Sequence, residues 1–223
     1  MSHIATDEFL LDHAAGASSP PVGLLLATHL ALNPAARRRY RDFEALGGAM
    51  LERIDPVATA PDAFARLMAR IDTPPARSDA AATPPRAPGH GDAEPDTLPA
   101  PLRSHIAGGI DALPWRQVTR GVHEAALPVV GPGGERSVLL RIAAGRAVPR
   151  HTHRANEMTL VLDGNFADEG GHYARGDLSI TDPSIEHQPV AGTGRDCLCL
   201  VVTSAPIRLT GPLMRLLNPF LSR

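Results

Sequence analysis

Three histidines and one glutamate have the residue types and the spacing of a metal site. His151, His153 and Glu157 lie close together, and His187 follows further along the chain. Side chains two positions apart on an extended strand share a face, so the first three are expected to point the same way. Three imidazoles and a carboxylate suit a borderline transition metal. The sequence therefore predicts one divalent metal, zinc first, with iron, manganese and nickel as alternatives.

A surface strand that happens to carry histidines is the competing interpretation, and it would be favoured for an isolated His-x-His. The glycines around the four residues argue against it, because they recur at fixed distances. The runs Gly145-x5-His151-x-His153-x3-Glu157-x6-Gly164 and Gly176-x10-His187 resemble the two motifs of the cupin superfamily. The second run departs from the family pattern at Asp182, Ser184 and Ala191, which bears on the turn before His187 more than on the ligands.

Composition limits the classes of protein that the chain can belong to. It has 223 residues, 43% of them hydrophobic, which is enough for packed domains, and a net charge of -2 gives no general attraction to nucleic acid or membrane. We identify no membrane-spanning run and no secretory signal, and therefore expect a cytoplasmic protein. Cys197 and Cys199 are expected to lie in a barrel wall as small apolar residues.

Residues 1–72 have the periodicity and punctuation of four helices, which predicts a small helical bundle. The first helix ends near Gly16, the second starts at Ser19-Pro20, and the third starts at Asn33-Pro34, where each polar residue is a predicted N-cap. The fourth starts near Pro61. Its predicted buried residues are Phe64, Leu67, Met68 and Ile71.

The rest of the chain divides into a linker and a β domain. Residues 73–101 are rich in proline and almost without large apolar side chains, which is typical of a linker. Residues 102–223 contain short β-branched runs separated by glycine-rich turns, with a possible closing helix at 213–221. The predicted fold class is multidomain α plus β, with an N-terminal helical bundle and a C-terminal double-stranded β-helix, the cupin jelly roll.

The order of helices, linker and cupin resembles the ChrR-type anti-sigma factors. The resemblance covers nearly the whole chain except the linker, and it rests on four short segments: His13-Ala-Ala-Gly16, Ala27-Thr-His-Leu30, Gly47-Gly48 and Asp196-Cys-Leu-Cys-Leu200. It implies that the helical domain binds an extracytoplasmic-function (ECF) sigma factor and keeps it from RNA polymerase. It further implies that the cupin is the sensing module, and an oxidant is one candidate signal. From the net charge, we expect no direct binding to nucleic acid or membrane.

One departure from that family concerns a second zinc site. The family's helical domain holds zinc through an early histidine and His-x3-Cys-x2-Cys, but here Asn33 and Ala36 stand at the cysteine positions. His29 is kept, and His3 lies one residue out of register. Without a thiolate the remaining histidines cannot complete a tetrahedral site. We therefore expect this zinc site to be lost, with Asn33 capping the third helix in its place.

Two further interpretations stay open at this level. The same four cupin ligands occur in catalytic centres, so a metal-dependent dioxygenase or isomerase with a helical appendage is the alternative function. The run Arg37–Arg41 is expected to be a solvated helix face rather than a nucleic-acid contact.

Overall fold

The computed structural model describes residues 3–72, 98–205 and 208–210. The chain divides into two compact units: one comprises residues 1–47 together with 96–223, and the other residues 48–95. The first helices therefore belong to the same unit as the β domain. The predicted boundaries at 72 and 101 stay a prediction. Most of the predicted linker, and the predicted closing helix at 213–221, lie outside the described residues.

The predicted N-terminal helices are all present. They are α1 (Asp7–Ala14), α2 (Pro20–Leu32), α3 (Pro34–Leu51) and α4 (Ala63–Asp72), and a short α5 (Ala100–Arg103) precedes the β domain. Asn33 caps α3 as predicted, because its Oδ1 accepts hydrogen bonds from the N–H groups of Ala35 and Ala36 at 3.0 and 3.1 Å. The predicted cap at Ser19 is wrong in its chemistry: the residue holds the N-cap position, but its side chain makes no capping hydrogen bond.

Eleven described strands form the β domain. In chain order they are β1 (Arg116–Thr119), β2 (Val122–Val130), β3 (Arg136–Ile142), β4 (His151–Thr152), β5 (Glu157–Asp163), β6 (Asn165–Asp168), β7 (Gly171–Ala174), β8 (Leu178–Thr181), β9 (Val190–Ala191), β10 (Cys197–Thr203) and β11 (Arg208–Leu209). A six-stranded sheet has the order β1-β2-β3-β10-β5-β8, a three-stranded sheet the order β7-β6-β9, and β11 pairs with β4. This is the predicted cupin-like β-sandwich.

The tight β5–β6 connection needs a glycine. Gly164 has a φ of +71°, and a Cβ at this position would lie 2.3 Å from the carbonyl oxygen of Asp196. Any other residue would therefore be strained and would clash with backbone. The glycine of the first sequence motif thus allows β5 to turn directly into the second sheet.

Strand β10 is buried on both faces, and this explains its unbroken apolar sequence. Cys197, Cys199 and Val201 alternate into the interior of the sandwich, where they pack with residues such as Phe166. Leu198, Leu200 and Val202 point to the other face and belong to a second apolar cluster. The predicted location of the two cysteines in the barrel wall is confirmed, with both side chains buried.

The second cluster joins the helices to the outer face of the six-stranded sheet. Leu25 and Leu26 of α2 are fully buried in it, together with Leu139 of β3 and Leu200 of β10. Each fully buried leucine of this kind contributes about 2 kcal/mol. The described helices up to residue 47 and the sheet thus share one core and are expected to unfold together.

The unit formed by residues 48–95 contains the end of α3 and α4, and its described side chains are not buried. Phe64 is 75% exposed and Ile71 66% exposed, and Leu67 and Met68 are exposed as well. The prediction that these four residues are buried is therefore wrong for this chain alone. Their spacing still gives α4 one apolar face, and its side chains are exposed.

Candidate metal centre

The four predicted site residues meet at one place inside the β-sandwich. His151 lies on β4, Glu157 begins β5, and His153 stands between them, so the three occupy two short strands and a turn rather than the single strand expected from the sequence. His187 is joined to His151 by a pair of backbone hydrogen bonds of 3.0 and 3.1 Å. All four side chains are buried, and their donor atoms lie within 4.8 Å of one another.

The hydrogen bonds of two imidazoles leave their Nε2 atoms available. His151 Nδ1 lies 2.7 Å from the carbonyl oxygen of Pro149, which accepts its proton. His187 Nδ1 lies 2.9 Å from a carboxylate oxygen of Asp168. With the proton on Nδ1, each ring presents an Nε2 lone pair. The Nε2 atoms of His153 and His187 are 3.0 Å apart, and with the proton of His187 on Nδ1 the Nε2–H of His153 donates this hydrogen bond.

The buried Nδ1 atom of His153 has no hydrogen-bond partner within the described residues. Glu157 Oε2 is 3.5 Å away from this nitrogen, too far for a normal hydrogen bond. A buried polar atom left in this state costs about 1–3 kcal/mol. The cluster is therefore not a self-sufficient hydrogen-bond network.

Burial determines the protonation of the site. It lowers the pKa of His151 to about 4, and it lowers the pKa of His153 to about 3 with help from the neighbouring imidazoles. Burial also raises the pKa of Glu157 to about 7, an effect that His187 partly offsets. The rings of His151 and His153 are thus neutral and can donate lone pairs. A divalent cation would favour the carboxylate form and use all four donors.

The donor set fits a metal on these grounds. Three imidazoles and one buried carboxyl group converge, and burial raises the pKa of that carboxyl group to about 7. Buried His151, His153, Glu157 and His187 could therefore hold a metal ion. Such an ion would act as a Lewis acid or a structural tie at this point.

Asp168 was missed by the sequence analysis. It closes β6, and the antiparallel pairing of β6 with β9, in which Ala167 faces Val190, brings it beside the loop that carries His187. No motif spacing contains this information, because the contact depends on the register between two strands that are distant in sequence. The only sequence signal is an acidic residue ahead of a Gly-Gly turn, which is too common to single out.

A second buried histidine, His29 of α2, has a different environment. Its Nε2 accepts a hydrogen bond of 3.2 Å from the N–H of Ala5, and its Nδ1 donates one of 3.0 Å to the carbonyl oxygen of Gly176. Asn33 Nδ2 donates to the same carbonyl at 3.3 Å. His3 is not part of this arrangement as a ligand, since its ring packs against Tyr173 at a centroid distance of 4.5 Å. Within the part of the chain that the structure describes, the cupin cluster alone gathers three or more His, Cys, Asp or Glu donors.

The fold and the four-residue cluster define a cupin-like protein, and the comparisons with known proteins agree. Residues 103–206 match the family model of the ChrR cupin-like domain. The anti-sigma-E factor ChrR of Cereibacter sphaeroides is 39% identical over 98% of this chain and 97% of its own length. The solved structure of Rhodobacter sphaeroides SigE in complex with the anti-sigma ChrR matches with a TM-score of 0.75 and 36% identity, covering 90% of this chain and 98% of the other.

The chain belongs to the ChrR family of anti-sigma factors. The resemblance stated from the sequence is therefore confirmed, as is the fold class of a helical N-terminal region followed by a cupin-like domain. Among the described residues, no helix is both long and apolar enough to cross a membrane.

Proposed function

We propose that this protein is an anti-sigma factor that sequesters an ECF sigma factor, with the cupin as its response module. The observation that carries the proposal is the match along nearly the whole chain to an anti-sigma factor, since helices and cupin both align. The related solved structure contains a sigma factor bound to its anti-sigma factor. An activity that depended on the cupin alone would not require the helical region to be retained.

The apolar face of α4 is a suitable surface for that partner. Phe64, Leu67, Met68 and Ile71 recur at helical spacing and are all exposed in the chain alone. Exposed apolar surface of this extent is typical of protein interfaces, and an amphipathic helix commonly docks its apolar face in a groove of its partner. In this proposal the sigma factor supplies the burial that the sequence pattern predicts and the isolated chain lacks.

The test is co-purification of the full-length protein with the ECF sigma factors of its own organism, together with repression of their promoters. Phe64→Asp combined with Leu67→Asp should abolish both, because it places charge on the apolar face. Arg66→Glu changes the net charge equally on the opposite face of α4 and should leave both intact. A full-length protein that captures no such sigma factor would overturn the proposal; a double variant that binds normally would overturn only the role of α4.

We further propose that His151, His153, Glu157 and His187 hold one divalent metal, most simply zinc, and that this centre governs release of the sigma factor. The convergence of four buried donor atoms and the raised pKa of Glu157 support the ligand assignment. Glu157 is followed on β5 by Met158, whose side chain packs on the helix side of the sheet. A change at the centre can shift sigma binding only if it alters the relative stability of the bound and free states.

Substitution of the ligands should therefore separate repression from release. His151→Ala combined with His153→Ala should still repress the sigma-dependent promoter, while addition of an oxidant such as hydrogen peroxide or an organic hydroperoxide should no longer induce it. Wild-type protein provides the induced control in the same reporter strain. Normal induction in the double variant would show that the metal centre is not the response element.

The helical region, by this proposal, needs no zinc. His29 uses both ring nitrogens for backbone hydrogen bonds, and Asn33 caps α3 where the family has a cysteine. Full-length protein carrying His151→Ala and His153→Ala should keep its helical circular dichroism in strong chelator. A further equivalent of zinc in that variant, whose removal unfolds the helices, would contradict the assignment.

The alternative of a metal-dependent cupin enzyme is set aside. The relative that aligns over 98% of this chain is an anti-sigma factor, and a cupin fold with metal ligands does not by itself indicate turnover.

A further inference from the structure

Asp168 is a buried carboxylate directly behind the ligand cluster. Its side chain is 2% exposed and that of His187 is 4% exposed, and the Oδ2–Nδ1 distance between them is 2.9 Å. The other oxygen, Oδ1, accepts a hydrogen bond of 2.8 Å from the N–H of Gly170. Both oxygens are therefore held, and Oδ2 is directed at the imidazole before any ion binds.

The residue that follows Asp168 also fixes the backbone around His187. Glu169 Oε2 accepts a hydrogen bond of 2.9 Å from the N–H of Gln188, and Arg150 forms an ion pair with Glu169. The carbonyl and N–H of His187 are bonded to His151. With the backbone fixed on both sides, the ring can still rotate about its own bonds, and the contact with Asp168 removes that freedom.

The two ligands that have an Nδ1 partner differ in what that partner is. His151 donates to a neutral backbone carbonyl, that of Pro149, whereas His187 donates to a carboxylate. A charged acceptor makes a stronger hydrogen bond and raises the electron density of the ring as a ligand. His187 should therefore be more strongly oriented than His151.

We infer that Asp168 is a positioning residue of the metal centre: it keeps the proton of His187 on Nδ1 and turns Nε2 toward the other ligands. The inference rests on the proposed metal site. Asp168 does not touch the ion in this arrangement. It acts through His187, and outer carboxylates of this kind typically change metal affinity by about 10–100-fold when they are removed.

The test uses full-length protein and cobalt(II) as the probe, since its visible spectrum reports the geometry of its ligands. Asp168→Ala should weaken cobalt(II) and zinc binding by about 10–100-fold in a competition titration and alter the cobalt spectrum. Asp168→Asn, whose amide oxygen can still accept the Nδ1 proton, should fall between this variant and wild type. Asp163→Asn removes a partly exposed carboxylate that pairs with Arg195 and should match wild type in both measurements.

The outcomes distinguish the inference from the site on which it rests. If wild-type protein binds no cobalt(II), the metal site itself is wrong and the inference falls with it. If wild type binds the metal and both Asp168 variants bind it with unchanged affinity and spectrum, the site stands and the positioning role is wrong. A purely structural role would lower the stability of the metal-free protein while leaving the cobalt spectrum unchanged, and this result would also overturn the inference. If Asp168→Ala does not fold, the spectrum and affinity of Asp168→Asn decide the question.

Discussion

The molecule contains two sites with buried histidines, and the sequence raised the question of metal binding at both. Their hydrogen-bond partners in the structure differ. His29 has a hydrogen-bond partner for each ring nitrogen, one from Ala5 and one from Gly176. In the cupin cluster, His153 Nδ1 has no partner among the described residues, and Glu157 lies beside the rings with its pKa raised to about 7. The first site is satisfied by hydrogen bonds within the protein, whereas the four residues of the second could hold a metal ion.

The contrast shows that a buried histidine can be satisfied by hydrogen bonds alone. The hydrogen bonds of His29 and Asn33 converge on the carbonyl oxygen of Gly176. Gly176 itself has a φ of +88° and lies close to Leu32, so the turn that offers this carbonyl depends on a glycine. These hydrogen bonds thus connect the end of α2 to the turn of the cupin that contains Gly176.

The largest expected difference between the two sites is in metal binding. Wild type and His29→Ala should each bind about one equivalent of zinc, whereas His151→Ala combined with His153→Ala should bind none, because only the cupin site has enough donors. Zinc at 100 times its Kd should raise the unfolding free energy of wild type by about 2.7 kcal/mol and leave the double variant unchanged. Elemental analysis and thermal unfolding with and without zinc measure both effects. Loss of the bound metal in His29→Ala would contradict the distinction between the two sites.

Removal of the His29 ring should destabilise the metal-free protein strongly. His29→Ala leaves a cavity in the shared core, an unpaired Ala5 N–H and a weakened contact to Gly176, which together should cost about 4 kcal/mol. Urea unfolding followed by circular dichroism provides the measurement. His105→Ala, at an exposed position, is the control and should stay within about 0.5 kcal/mol of wild type. An equally small change for His29→Ala would show that its hydrogen bonds are dispensable.

The stability supplied by His29 should decrease in acid. Burial lowers the pKa of His29 from 6.5 to about 4, so between these values the unfolded chain binds a proton that the folded protein does not. Stability therefore falls as the pH drops from about 6.5 toward 4, by about 3 kcal/mol from this group. Wild type and His29→Gln should thus converge in unfolding free energy at low pH, measured by urea titration at each pH. A constant difference between them would mean that His29 is not buried in its neutral form.

The smallest expected effect concerns the cap of α3. Asn33→Ala should lower the free energy of unfolding by about 1 kcal/mol, since two backbone N–H groups lose their acceptor. Ser19→Ala is the matched control at the start of α2, where the side chain makes no capping bond, and should change stability by less than about 0.5 kcal/mol. Equal effects at the two positions would remove the distinction between them.

Local sequence was sufficient for the elements and for the ligands. The helix starts at Pro20 and Pro34 and the apolar strand at Cys197 follow from proline, capping residues and β-branched runs, which act over a few residues. His151, His153, Glu157 and His187 could be named because motif spacing reflects a turn and a strand of defined length. The sequence analysis placed the first three of these residues on one extended strand, however, whereas they lie on two strands and a turn.

Burial of the helices was predicted less well, because it depends on which surface each apolar face meets. Both α2 and α4 contain many apolar residues, yet Leu25 is fully buried against the sheet while Phe64 is exposed. Helical periodicity identifies an apolar face but contains no information about its partner. In α2 the partner is the cupin sheet, and in α4 we propose that it is another protein.

By itself, therefore, the sequence determined the helices, the β class, the family and the four metal-ligand candidates, because each depends on short-range chemistry or on a spaced motif. Only the tertiary structure decided that His29 is a hydrogen-bonded core residue, that Asp168 stands behind His187, and that α2 shares a core with the sheet. These three features arise from contacts between segments far apart in the chain. Their geometry is set by strand register and helix docking, which no local pattern encodes.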